Sequence, residues 1–123
     1  MTRTMVATLV AVLTAGVADA HHSYAAYFED QRVTVEGTIT SVRFANPHVL
    51  VTISTDAGEV YTIEWQNLVQ LRHGNVGPDT LKAGDRIIVI ASPARDASSH
   101  MLSLVREISR PSDGWRWRRT TRQ

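Results

Sequence analysis

The sequence predicts an all-β domain with one short helix: a small five-stranded Greek-key barrel of the OB type, in the order β-β-β-α-β-β. Three observations carry this reading. One apolar/polar alternation, Val33 to Phe44, is long and changes parity partway, as a curved strand does. A short helical pattern falls between the third and fourth apolar runs. The 123 residues include no cysteine, so no cross-link protects exposed sheet edges, and closing the sheet removes them. An open β-sandwich is the competing architecture for the same list of strands.

In the first run, Val33, Val35 and Ile39 share one parity, and Val42 and Phe44 share the other. A slip of one residue within a strand predicts a β-bulge, with Gly37 easing the bend. Asn46-Pro47 signals a turn, and His48 to Ser54 forms the second strand, with Val49, Val51 and Ile53 on one face. Asp56-Ala57-Gly58 makes a hairpin loop into the third strand, Glu59 to Trp65, which presents Tyr61, Ile63 and Trp65 together. Asn67 can cap a short helix carrying Leu68 and Leu71, with Gly74 at its end. Gly77-Pro78 and Leu81 to Asp85 are turns. Arg86 to Ala91 runs apolar without alternation and is expected to be buried on both faces. A polar loop, Pro93 to Ser99, leads into a fifth strand, Met101 to Ile108.

The first twenty residues read as an export signal rather than part of the fold. Arg3 supplies the positive start, Met5 to Val17 the apolar run, and Ala18-Asp19-Ala20 the small-residue cleavage pattern. The run is shorter than the roughly 20 apolar residues that span a bilayer, which argues against an uncleaved anchor. Cleavage between Ala20 and His21 would deliver a periplasmic or secreted chain with no membrane span. The organisation is then a signal peptide (1–20), an N-terminal arm (21–32), the barrel (33–111) and a basic Trp/Arg tail (112–123).

Charge divides along the same lines. His21 to Pro111 holds eight Lys/Arg against ten Asp/Glu, whereas Ser112 to Gln123 holds four arginines against Asp113. With a net charge of +1, the chain as a whole makes no case for a nucleic-acid partner, and export argues against one in the cytoplasm.

Several segments together resemble a family of short secreted bacterial proteins catalogued as a domain of unknown function. They are His21-His22-Ser23-Tyr24, the strand Val35 to Ile39, Asn46-Pro47-His48 and the turn Leu81 to Asp85. The resemblance runs from about Ala20 to Asp113. It implies an exported, single-domain, β-rich protein and supplies no catalytic residues. Ala83 stands where the family usually has proline, and the ending "GWRWRRTTRQ" is not part of the resemblance.

Five histidines offer chemistry, and three are singled out as metal ligands: His21, His22 and His48. Cleavage before His21 would place a free amine beside its imidazole, and the pair can chelate one copper(II) ion. His48, behind a rigid Asn-Pro, is the third candidate ligand, and imidazoles also suit zinc(II). The competing view makes residues 21–28 an arm whose aromatics cover the barrel, with His48 bonded to a turn carbonyl. His73 and His100 read as surface residues.

No triad, facing acid pair or phosphate loop is present, so the chain reads as a binding protein, not an enzyme. Its ligand would be a metal ion or a small molecule. The alternative is an envelope structural or protein-interaction module. It would dock through the barrel face or through Tyr24, Trp115, Arg116, Trp117 and Arg118, since alternation puts indoles on one side of the tail and guanidiniums on the other. The competing view of the tail is a terminal strand packing its tryptophans on the barrel. Oligonucleotide or oligosaccharide binding rests on fold analogy alone.

Overall fold

The computed structural model describes residues 24–121. The expected export signal and cleavage point, with His21 and His22, lie outside the described residues. Six strands follow: β1 (Val33–Arg43), β2 (Leu50–Ser54), β3 (Val60–Glu64), β4 (Arg86–Pro93), β5 (Met101–Arg110) and β6 (Trp115–Arg118). One helix, α1 (Leu68–His73), separates β3 from β4, and short 3₁₀ turns lie at Tyr24–Ala26 and Ala97–Ser99. No helix among the described residues is long and apolar enough to cross a membrane.

Sheet order is β3-β2-β1-β4-β5-β6, and a parallel pairing of β3 with β5 closes the first five strands into a barrel. This is the expected five-stranded barrel with its helix between strands three and four. Strand β6 is the addition. Strand β5 closes on β3 through Met101 and Leu102, and its far half, Glu107 to Arg110, runs past β3. That half would present an open edge, and β6 pairs with it. The Trp/Arg segment of the tail is thus the sheet's sixth strand.

The long first strand bulges where its parity changes, between Ile39 and Val42, and not at Gly37. Ile39 faces Ile53 and Ser41 faces Thr52, so Thr40 is the extra residue. Val42 therefore takes the parity opposite to Ile39. Gly37 serves another purpose: a Cβ there would lie 2.6 Å from the Ser54 carbonyl oxygen, so only glycine allows the approach. Strand β4 corrects the expectation of burial on both faces. Ile87, Val89 and Ala91 are buried in the barrel, while Ile88 and Ile90 face outward and are half-buried. A barrel has one dry face, so even an unbroken apolar run alternates in burial.

The helix forms where its caps dictate. The Asn67 side chain accepts from the Gln70 N–H, and the Gln70 side chain accepts in return from the Asn67 N–H. Leu71 is its buried residue, and Gly74 caps the far end. The core contains Ile39, Val51, Ile53, Ile63, Ile87 and Val89 in the barrel, with Trp65 and Trp117 toward the helix end. Those two indoles meet edge to face, 5.2 Å between ring centres.

Candidate functional site

The Asn-Pro-His turn lies against the end of β3 and the start of α1. Asn46-Pro47 is a cis peptide, and Asn46 Oδ1 accepts from the Leu68 N–H, one of the helix's free donors. Val49 and Trp65 complete the clamp: Val49 N–H donates to the Gln66 carbonyl, and Trp65 N–H to that of Val49. The backbone on both sides of His48 is therefore fixed.

His48 Nδ1 lies 3.1 Å from the Trp65 carbonyl oxygen, which can only accept, so Nδ1 carries the hydrogen. Nε2 points to Glu64, 3.3 Å from Oε1. Glu64 ends β3 with its side chain on the parity opposite to Ile63 and Trp65, and it is 16% exposed. Its second oxygen accepts from the Tyr27 hydroxyl at 3.0 Å. Burial, then the hydrogen bond to Glu64 and that carboxylate's charge, hold the Tyr27 phenol well above its ordinary range. Tyr27 therefore remains a donor and orients the carboxylate.

Three elements distant in sequence thus form one chain: Tyr27 to Glu64 to His48 to the Trp65 carbonyl. With Nδ1–H given to the Trp65 carbonyl, Nε2 and the Glu64 carboxylate are two donor atoms that one ion could bridge. Ring and carboxylate each have an outer partner, as metal ligands usually do. An ion about 2.1 Å from both donor atoms would see them at roughly 105°, close to the tetrahedral angle. The adjoining cavity of about 70 Å³ is lined by Tyr24, His48, Glu64, Trp65, Ser103 and Arg119, among others. Small organic ligands occupy roughly 300–1,000 Å³, so this space suits an ion with a water or two. Among the described residues no third His, Asp or Glu joins the pair.

Of the residues singled out in the sequence, His48 is in this site and Tyr24 lines its cavity. His21 and His22 lie outside the described residues, three and two positions before Tyr24. Trp117 is 7% exposed and packed on Trp65, so its ring belongs to the core. Trp115 is half-buried, with the Arg110 guanidinium 5.6 Å from its ring centre. Arg116 and Arg118 both reach Glu107, at 3.2 and 2.9 Å. His100 stacks on Tyr61 at 4.8 Å, and His73 is exposed at the end of α1.

Glu64 and Tyr27 escaped the sequence reading. A single acid at the end of an apolar strand looks like any solvated residue, and only closure of the barrel brings the arm's tyrosine to it.

The profile of a family described as a family of unknown function (DUF6152) matches residues 9–103, most of the chain. No curated protein matches.

Proposed function

We propose, from the premise that the chain belongs to this family of unknown function, that it is an exported binding protein for a transition-metal ion, zinc(II) or copper(II). Its barrel scaffold would be non-catalytic. The observation that carries the reading is the His48–Glu64 pair, spaced for one ion and held by the Trp65 carbonyl on one side and the Tyr27 hydroxyl on the other.

The arm supplies the remaining ligands. Tyr24 lines the cavity that His48 and Glu64 line. His22 is two residues away, a reach of at most about 7 Å along the chain. His21, with a free amine after cleavage, is one further. An imidazole from either, or the His21 amine, would complete a site that the described residues leave at two ligands. Metal binding would then fasten the arm across the end of the barrel.

The test is a titration of zinc(II) and copper(II) into the chain beginning at His21, its terminus verified by mass spectrometry. Submicromolar binding is expected, weakened roughly tenfold or more in His48→Ala and in Glu64→Gln, as for loss of a ligand. A glycine placed before His21 should weaken copper binding if the amine is a ligand. Equal affinity with that extension assigns the arm's part to its imidazoles. Affinity unchanged in both His48→Ala and Glu64→Gln would overturn the site.

A further inference from the structure

A second cavity, of about 460 Å³, opens on the outer side of β5. Its lining includes Arg32, Arg106, Arg118 and Arg119, with Glu107 as the lone acid. Glu107 is already shared between Arg116 and Arg118. The other three guanidiniums have no ion pair with any described residue. Arg106 donates to the backbone carbonyls of Leu104 and Glu29, Arg119 to that of Val105, and Arg32 makes no side-chain hydrogen bond to a described residue. They crowd one another: burial first, then the charges of Arg32 and Arg119, weaken proton binding at Arg106, with the Glu29 charge acting the other way.

A distortion of β5 holds this cluster. Opposite the step from Ile90 to Ser92 on β4, β5 runs from Glu107 back to Ser103, so Leu104 to Arg106 carry the excess. Leu104 has φ of 49°, a conformation that costs a branched side chain energy. The bulge turns the Leu104 and Val105 carbonyls off the ladder, and Arg106 and Arg119 take them. Backbone dipoles fix the guanidiniums in place without cancelling their charge.

We propose that Arg32, Arg106 and Arg119 form a binding site for a phosphate-class oxyanion. Three positive groups around one opening suit a dianion better than a single carboxylate, and guanidinium forks match its paired oxygens. The same chemistry is offered by free phosphate and by a phosphomonoester headgroup on a lipid. The site uses neither His48 nor Glu64, so it stands or falls apart from the metal reading. Leu104 and Arg119 border both cavities, and Arg119 is the one arginine of the three that does.

The experiment uses the protein as its cell produces it, titrated with inorganic phosphate at constant ionic strength against chloride. The arginine Nε–Hε resonances are the readout. Saturable shifts confined to Arg32, Arg106 and Arg119 are expected, with a midpoint below about 1 mM, the range of a weak specific complex. Arg32→Gln should weaken binding by roughly tenfold, the loss of one charge-assisted contact. Arg32 has no side-chain hydrogen bond to lose among the described residues, and Arg106→Gln provides a second variant. Vesicles of phosphatidylcholine with and without phosphatidic acid separate the sources. Co-sedimentation that needs phosphatidic acid and Arg32 identifies the headgroup, whereas phosphate saturation without it identifies the free anion. Non-saturating shifts, shifts equal at Arg86 and Arg110, or binding unchanged in both variants would overturn the proposal.

Discussion

Arg106 and Arg110 are four residues apart on one strand and live in opposite electrostatic circumstances. Arg110 binds Asp113 through two nitrogens, at 3.1 and 2.8 Å, and Asp85 at 2.8 Å, and donates to the Thr80 carbonyl. It ties the turn after β5 to the turn before β4. Arg106 neighbours two further cations and, among the described residues, bonds only to carbonyls. A paired arginine of the first kind is explained by the fold it fastens. A cluster of the second kind costs the fold repulsion and desolvation, and so calls for a ligand.

The contrast can be broken at several places, beginning with the strand that serves both clusters. Trp117 anchors β6, which leads from the Asp113 turn to Arg119. Trp117→Ala should lower unfolding free energy by about 3–5 kcal/mol, the usual cost of deleting a buried aromatic ring. Urea denaturation would measure it. A loss under 1 kcal/mol would mean that β6 is an ornament on a barrel stable without it.

A smaller effect separates the arginines themselves. Arg110→Ala should cost about 2 kcal/mol, since it strips a largely buried charge-assisted hub. Arg32→Gln should move stability by no more than about 0.5 kcal/mol, and in the stabilising direction as repulsion is relieved. Matched denaturation curves decide this, and equal losses in both variants would erase the distinction.

The smallest effect is in acid. The Arg110 hydrogen bond, helped by the Trp115 N–H, holds the Asp113 carboxyl below its ordinary range, and Arg86 does the same for Asp56. Both carboxylates therefore take up protons more readily when the chain unfolds. Their contribution is present above about pH 4, the unfolded value, and is lost as pH falls through the lower folded one. Both side chains are exposed to solvent, so the slope is shallow. Arg110→Ala should remove the share of Asp113 and leave that of Asp56, whereas Arg32→Gln should keep both, when thermal unfolding is followed from pH 6 to pH 2.

The parity change between Ile39 and Val42, the Asn67 cap with Gln70, and the meander of β1 to β3 are all written locally. Each depends on the period of side-chain direction or on bonds between residues a few positions apart. The Asn-Pro-His turn was visible in the same way, and so was His48 as its chemical residue. Glu64 and Tyr27 were not, because 37 residues separate them and no local pattern marks either.

The tail shows the limit in another form. Alternation alone correctly placed Trp115 and Trp117 on one side and the arginines on the other. Whether that aromatic side met a partner or the protein's own core depended on β5 extending past β3 and leaving an edge to fill. The grouping of Arg32, Arg106 and Arg119 likewise needed a bulge that no residue in β5 announces.

The sequence by itself therefore determined the strands, the bend in the first, the helix and its caps, since short-range sterics and burial period fix these. Tertiary structure alone decided which distant side chains became neighbours, because barrel closure and strand register set those distances. The pairing of Glu64 with His48 and the gathering of Arg32, Arg106 and Arg119 from three segments around one opening are both of that kind.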